Sequence, residues 1–309
     1  MKGLLSILLI LFIVRPIYVK AQQYQDKFEV SLMNDNDVYL LKRSDRYYTN
    51  GIFVNFMMRI SPKSKSTLDF QLGHSLYTGG EVVRDRDLYW DRQFVAKFSL
   101  KTTLSRFTDS NRVFRYGINL EQIGPKAKGE EIQNFIHNVF NMYELKGWDS
   151  SVSNSFGIDL FGNYEEEWFQ SSNNVFAVST GARMIVGTHN VLGTIAIPVR
   201  LGRLKSFDKS VFNKGHLNDS KGNDEFYVFY RPSLTYQVKN SSFGDSRILD
   251  GNTIIENELV PFVFTNELGF TYAKNRSTFT LALIRYNSEI KYLKYSHHQY
   301  GSLKYSYRF

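Results

Sequence analysis

The sequence predicts an all-β protein, a transmembrane antiparallel β-barrel of about 12 strands with a short helix in an extracellular loop. Three observations predict it: period-two alternation through most of the chain, an N-terminal secretory segment, and an aromatic C-terminal residue that closes an alternating strand. A water-soluble sandwich would show the same alternation. It would also leave the apolar edge of its last strand exposed to aggregation, whereas a closed barrel pairs the last strand with the first.

Composition is consistent with this architecture. The 309 residues suit one large domain, and the 25 Phe and 20 Tyr favour strands. Mean hydropathy is −0.32, which a membrane barrel tolerates because only alternate residues face lipid. The formal charge of +8 suits an anionic surface. Without a compact Lys/Arg run, we expect anionic membrane lipid rather than nucleic acid as the partner.

The first 21 residues have the features of a secretory signal peptide. Lys2 supplies the positive charge, Leu4–Val14 is an apolar core, and Ala21 is the small residue that precedes cleavage. The alternative, an uncleaved anchor, is disfavoured because the apolar run is short for a spanning helix. We therefore predict a signal peptide at 1–21 and one outer-membrane β-barrel domain at 22–309.

Twelve strand candidates follow in order, an even number, as a bacterial barrel requires. They are a first strand from Lys27, then Phe53–Ile60, Asp69–Leu76, Phe94–Leu104, Val113–Ile123, Phe156–Trp168, Val175–Gly187, Leu192–Leu204, Glu225–Val238, Asn257–Ala273, Ser277–Tyr286 and Tyr300–Phe309. Most long connections fall on the outward side. Lys205–Asp224 is long but falls on the periplasmic side, so either this loop is unusual or a strand nearby is misplaced.

One long connection, Gly124–Ser151, contains the predicted helix. Its apolar positions recur at helical spacing and predict one packing stripe: Ile132, Phe135, Ile136, Val139 and Phe140. Glu130, Gln133 and His137 line a different face. Two interpretations remain open for that face: a solvated polar surface, or a site where His137 accepts a proton near neutral pH.

The first outward loop begins with Asn34-Asp35-Asn36-Asp37 and closes with Tyr48-Thr49-Asn50-Gly51. Asn and Asp oxygens are hard ligands that suit calcium, although the spacing is not that of an EF-hand. The alternative is an Asx-rich turn that caps a hairpin. Strand alternation places Asp35 and Asp37 on one face and Asn34 and Asn36 on the other.

These two motif blocks together resemble the outer-membrane lipid A 3-O-deacylase family (LpxR-like). The resemblance rests on the Asn-Asp cluster, Tyr48-Thr49-Asn50-Gly51, Gly124-Pro125, Gly129-Glu130, Gln133, His137 and Gly147-Trp148-Asp149. It covers roughly the first half of the mature chain, and the second half matches only as barrel. The family implies a twelve-stranded barrel that uses Ca²⁺ to remove an ester-linked acyl group from lipid A of lipopolysaccharide in the outer leaflet.

The resemblance also implies roles for individual residues. His137 would be the general base, and Ca²⁺ would stabilise the oxyanion. Asn36 and Asp37 would bind the metal or build the oxyanion site together with Asp35, with Asn34 and Asp35 as the alternative pair. Thr49 would donate a hydrogen bond in the site. The substrate or supporting shell would contain Gln133, Glu130, Tyr48 and Arg92, and basic loop residues would hold lipid A phosphates.

One departure concerns the substrate shell. The family usually carries Asp-Arg-Pro-Tyr-Ala-Gly after the second outward loop, whereas this chain has Asp91-Arg92-Gln93-Phe94-Val95-Ala96.

The non-catalytic alternatives are a pore and a lipid-binding barrel. No sequence feature requires an oligomer, so we expect a monomer. A serine-dependent lipase is disfavoured because His74 and Ser75 are adjacent, and His189, His216 and His297-His298 show no partner in the sequence.

Overall fold

The computed structural model describes residues 26–40, 46–61, 65–84, 87–139, 141, 147–219, 224–243, 247–249, 253–255 and 258–309. The predicted signal peptide, its cleavage site and the predicted stripe residue Phe140 lie outside these ranges. No helix within them has the length and apolar character needed to cross a membrane.

A closed antiparallel barrel forms the molecule. Its strands are β1 (Phe28–Asn36), β2 (Tyr47–Ser61), β3 (Ser66–Thr78), β6 (Val95–Phe107), β7 (Arg112–Ile123), β8 (Ser155–Gln170), β9 (Phe176–Gly187), β10 (Asn190–Ala196), β11 (Val199–Arg203), β12 (Glu225–Asn240), β15 (Phe262–Lys274), β16 (Ser277–Asn287) and β17 (His297–Arg308). β1 pairs with β17 from Glu29–Arg308 to Asn36–Gly301, which closes the barrel. Two small hairpins, β4–β5 (Glu81–Arg84, Asp87–Trp90) and β13–β14 (Arg247–Leu249, Thr253–Ile255), lie in loops.

The thirteen barrel segments occupy twelve strand positions around the barrel, which we call staves. β10 and β11 share one position, because both pair with β9 and β12. The predicted strand Leu192–Leu204 is thus interrupted at Ile197-Pro198, where proline lacks the N–H that a strand interior needs. The predicted strand Asn257–Ala273 begins at Phe262 instead. The predicted twelve-stranded barrel is confirmed.

Alternation assigns the two faces of the wall. In β1, Val30 and Leu32 are 41% and 47% exposed, while Glu29, Ser31 and Asp35 are buried. The same apolar exposed row continues around the barrel in residues such as Val54, Leu72, Leu100, Leu160 and Leu268. A polar interior with an apolar outer band is the pattern of a membrane barrel.

A segment at residues 204–219 fills the end of the lumen where Lys27 lies beside Phe309. Its contacts reach strands around the barrel: Arg59 donates to Leu217 O (3.0 Å), Lys214 Nζ lies 3.1 Å from Asp69 Oδ2, and Arg115 donates to Asn213 O (2.6 Å). The strand count was therefore right, and this periplasmic loop is unusual because it folds into the barrel. We call residues 204–219 the lumen segment.

Candidate functional site

The predicted helix is α1 (Gly129–Val139), which follows a 3-10 turn at Pro125–Ala127. Gly124 has a φ of +92°, and a Cβ there would meet backbone atoms at 2.8 Å, so glycine is required where the chain leaves β7. α1 contacts the loop ends of β3 and β6. His74 Nε2 lies 2.8 Å from Ala127 O and joins this turn to β3.

The buried face of α1 differs from the predicted one. Gly129, Gln133 and His137 are buried, whereas Phe135 and Val139 are 68% and 58% exposed. The prediction that the apolar stripe packs against the protein is wrong for Phe135 and Val139, whereas half-buried Ile132 does pack against the core that contains Phe94 and Trp148. The interpretation of the other face as solvated is wrong for Gln133 and His137, and applies only to exposed Glu130.

Trp148 anchors this face. Its Nε1–H donates to Gln133 Oε1 (2.9 Å), and its ring packs against Phe94 in a core with Leu76, Ala96 and Ala127. His137 lies one turn after Gln133 on the same buried face. Glu130 is seven residues before His137, about 10 Å along the helix axis, so it is not placed to contact the imidazole directly.

The Asn-Asp cluster lies at the loop end of β1, three staves along the sheet from β6. Asp35 is buried inside the barrel, and its Oδ2 accepts from Tyr48 Oη (2.8 Å). Asn36 Oδ1 accepts from Val38 N (2.7 Å), which is an Asx turn that begins a 3-10 helix at Asp37–Leu40. Asp37 is also buried. Both interpretations of the cluster thus have support: Asn36 caps the turn, and two buried carboxylates accompany it.

Asn34, in the alternative pair, has a structural partner on each side. Its Nδ2 donates to Gly51 O (2.9 Å), and its Oδ1 accepts from Tyr39 Oη (2.5 Å). Burial and the nearby Asp35 carboxylate raise the pKa of Tyr39 to about 12, so Tyr39 remains a donor. Asn34 therefore joins β1 to β2 and to the 3-10 helix.

A bulge in β2 brings consecutive residues inside. The register with β3 shifts between Tyr48 and Asn50, and both Tyr48 and Thr49 are buried. Thr49 Oγ1 donates to Leu76 O at 3.3 Å. The Tyr48 ring packs edge-on against Tyr300 and is tilted against Tyr77, so it holds Asp35 from a rigid aromatic layer.

Arg92 is buried (1% exposed) rather than presented to a phosphate. It donates to Ser242 O (3.0 Å), and its guanidinium lies 4.6 Å from the Phe243 ring centroid. Burial lowers the pKa of Arg92, and the facing Glu289 opposes that effect. Arg92 therefore joins two loops, and its place in the substrate or supporting shell stays a prediction.

The departure from the family pattern falls within this core. Gln93 is buried, and Phe94 and Ala96 are both 0% exposed. Phe94 packs edge-on against Trp90 and Trp148. Gly147, with a φ of +152°, lies against Phe94, where a Cβ would approach the ring to 2.6 Å. The changed segment supports the loops beneath α1, so the residues that differ from the family pattern contribute to packing here.

The oxygen atoms of the Asn-Asp cluster are the candidate ligands for calcium. Within the described ranges, no group of three or more His, Cys, Asp or Glu side chains is close enough to hold a metal ion. Asp35 Oδ1 is buried, and no described residue is its hydrogen-bond partner. The donors fit calcium in kind, and a full coordination of six to eight oxygens would need backbone carbonyls or water as well.

Three histidines predicted to lie in loops without partners are buried instead: His189, His216 and His298. His298 is in β17, and its Nε2 lies 2.9 Å from Tyr48 O. His216 is in the lumen segment, with Nε2 2.5 Å from Glu29 Oε2. No sequence pattern could have found these pairs, since their members are 250 and 187 residues apart along the chain.

Comparison with known proteins gives one family and one close fold. A family model described as "Outer membrane protein LpxR" matches residues 4–309. The structure of LpxR from Salmonella typhimurium superposes with a TM-score of 0.75 at 18% identity, covering 91% of this chain and 100% of that one, which shows the shared fold. No curated protein matches the sequence.

More distant barrels superpose less well. The β domain of the Bordetella autotransporter BrkA gives a TM-score of 0.48 at 10% identity, covering 93% of this chain and 99% of that one. The KdgM porin gives 0.42 at 8% identity, covering 91% and 99%. At these TM-scores neither likeness bears on function.

Proposed function

We propose that this chain, which belongs to the outer membrane protein LpxR family, is a hydrolase that removes an ester-linked 3'-acyloxyacyl group from lipid A in the outer leaflet. The substrate is then a saccharolipid of the membrane in which the barrel lies. The family match over nearly the whole chain supports the general activity, and the residues below are our assignment of the chemistry.

The observation that carries the proposal is the buried polar face of helix α1. Half-buried Ile132 packs against the core, yet the side chains that are fully buried on this helix are the polar ones of His137 and Gln133. Phe135 and Val139 on the opposite side of the helix are left exposed. A histidine held in a protein-facing position at the loop end of the barrel suits proton transfer to and from an ester.

In the proposed reaction His137 acts as general base. One ring nitrogen accepts a proton from water while the water oxygen bonds to the ester carbonyl carbon. The C–O bond to the sugar hydroxyl then breaks, and His137 returns the proton to that oxygen, which releases a carboxylic acid and an alcohol. General base catalysis of this kind contributes about 10²–10⁴-fold to the rate.

The other predicted residues would act around this centre. Asp35, with Asp37 and Asn36, would hold Ca²⁺, which when bound supplies a Lewis acid that polarises the ester carbonyl. Tyr48 positions Asp35 through its 2.8 Å hydrogen bond, and Thr49 lies one residue further along the bulge. Lys126 and Lys128 are exposed beside α1 and provide positive charge for phosphates, although Lys128 already pairs with Glu131 at 2.6 Å.

The proposal is tested by mass spectrometry of lipid A from outer membranes that contain the wild type, His137→Ala or His297→Ala. His297 is the matched control because it is an exposed histidine at the same end of the barrel. We expect wild type and His297→Ala to remove one acyl group in calcium. His137→Ala, and any sample in chelator, should slow removal by about 10²-fold or more.

The test separates the general activity from its details. Unchanged lipid A in every sample would contradict the deacylase proposal for this substrate. Loss of the acyl group with His137→Ala at the wild-type rate would contradict the assigned base. Loss that persists in chelator would contradict the calcium role.

A further inference from the structure

A second group of side chains at the loop end of the barrel has the serine–histidine–carboxylate arrangement of a serine hydrolase. It consists of Ser155 at the start of β8, His189 in the turn between β9 and β10, and Glu121 near the end of β7. Ser155 Oγ lies 2.9 Å from His189 Nε2, and His189 Nδ1 lies 3.2 Å from Glu121 Oε1. All three residues come from separate positions in the chain that neighbouring strands bring together.

The hydrogen-bond chemistry fixes the direction of this chain. A carboxylate only accepts hydrogen bonds, so the proton on His189 lies on Nδ1, facing Glu121. Nε2 is then left with its lone pair toward Ser155 Oγ–H. This is the arrangement in which an imidazole takes the proton of a serine nucleophile.

Burial also differs among the three in the way such chemistry requires. His189 is 1% exposed and Glu121 is 7% exposed, whereas Ser155 is open to solvent. Lys97 Nζ lies 3.5 Å from Glu121 Oε1 and compensates the buried carboxylate. The acid and base are thus held inside the wall, and the oxygen that would react is accessible.

The imidazole is also held in place by backbone. His189 N donates to Asp159 Oδ1 (2.9 Å). The ring lies against Gly157, where a Cβ would approach its atoms to 2.6 Å. An orientation fixed on three sides is what a general base needs, since small displacements lower the rate of proton transfer.

We propose that Ser155, His189 and Glu121 form a second hydrolytic site, with Ser155 as nucleophile, His189 as general base and Glu121 as its orienting group, for a carboxylic ester at the loop end of the barrel. Strand alternation places Ser155 on the inner face of β8 with Gly157 and Asp159, whereas Phe156 faces lipid, so an ester would reach Ser155 from the loop end of the barrel. The site shares no residue with the one that contains His137.

The step balances without any co-reactant except water. Ser155 Oγ bonds to the ester carbonyl carbon while its proton passes to His189 Nε2. The bond to the alcohol oxygen breaks, and the alcohol leaves with that proton. Water then attacks the acyl-serine and gives one proton to His189 Nε2, and His189 passes this proton to Ser155 Oγ as the bond from Ser155 to the acyl carbon breaks and the carboxylic acid departs.

The test uses an alkyl fluorophosphonate on the full folded chain in detergent micelles with chelator. The probe bonds phosphorus to an activated serine oxygen and releases fluoride, and peptide mass spectrometry locates the adduct. We expect one adduct on Ser155 in the wild type and none in Ser155→Ala. Ser153→Ala is the matched control, because Ser153 is an exposed serine two residues earlier, and it should label like wild type.

Two further variants separate an activated serine from a merely accessible one. His189→Gln and Glu121→Gln should label about 10²–10⁴-fold more slowly, while His137→Ala labels at the wild-type rate. Heat-modifiable gel mobility checks that each variant is folded. Absence of an adduct on Ser155, or an adduct whose rate is the same in folded His189→Gln and Glu121→Gln, would overturn the proposal and leave a hydrogen-bond chain that only joins the strand ends.

Hydrolysis of p-nitrophenyl butyrate in chelator gives a second readout. We expect release of p-nitrophenol that is lost in Ser155→Ala and kept in His137→Ala. The lipid A experiment depends on His137, whereas labelling and p-nitrophenol release depend on Ser155. Failure of one proposal therefore does not imply failure of the other.

Discussion

At the residue level, the side chain of Gln133 joins helix α1 to the loop that follows it. Its Oε1 accepts from Trp148 Nε1 at 2.9 Å, and both side chains are buried. A buried indole N–H without a partner costs about 1–3 kcal/mol, more than the bond itself contributes, because the donor has lost its water. This bond therefore helps to hold inward the face of α1 that contains His137.

We expect Gln133→Met to lower the free energy of unfolding by about 1–3 kcal/mol, because Trp148 would lose its acceptor. The double variant Gln133→Met/Trp148→Phe should lose less free energy of unfolding than the two single variants lose together, because it contains no buried N–H donor without an acceptor. Urea unfolding in micelles of both single variants and the double variant measures this coupling. Strict additivity would show that the hydrogen bond does not hold the helix.

At the level of the element, α1 docks through its first residue. A Cβ on Gly129 would approach the Trp148 ring to 2.3 Å and Ala96 Cβ to 2.5 Å. The helix can lie this close to the barrel end only because position 129 carries no side chain. The fit sets the height of the helix, and therefore the position of His137 two turns later.

Gly129→Ala should push α1 away from Trp148 and slow lipid A deacylation, by about 10-fold or more if the imidazole moves by 1 Å. Gly162→Ala in β8 is the matched control, since a Cβ there meets nothing within 4 Å. Acyl release by mass spectrometry and Trp fluorescence report the two effects. Equal rates for both variants would argue against close docking as the cause of the position of His137.

At the level of the whole molecule, the lumen segment bears on the alternative of a pore. Its contacts reach β1 through Glu29, β2 through Arg59, β3 through Asp69 and β7 through Arg115. On the opposite wall, Phe212 packs against Tyr227 and Phe229 of β12. A segment that touches walls on both sides must cross the lumen, so this end is obstructed.

We expect the wild type to give no large stable conductance in planar bilayers, and replacement of residues 207–217 by a short Gly-Ser linker to produce one. Arg115→Ala should give intermittent opening, because Asn213 O would lose its buried donor. Arg112→Ala is the matched control, since Arg112 pairs with Glu166 at the surface. A large wild-type conductance would support the pore and contradict the obstruction.

Much of the barrel could be predicted from the sequence because a membrane wall imposes a strict period of two. Val30 and Leu32 alternate with Glu29 and Ser31 in the sequence, and they alternate between lipid and lumen in the structure. The same rule gave the correct number of staves, and the motifs around Asp35 and His137 indicated the family. These features are local, so a single chain segment contains the information.

Tertiary contacts decided the rest. The apolar period of α1 predicted the packing of Ile132 but was wrong for exposed Phe135 and Val139, because the buried face also contains Gln133, which accepts a hydrogen bond from Trp148. The lumen segment obstructs one end of the barrel through contacts with strands that surround it only in the closed barrel. Strand pairing likewise brings together Ser155, His189 and Glu121. Sequence alone determined the period and the motifs, whereas residues far apart in the chain become partners only when whole strands pair and the barrel closes, which the local pattern does not encode.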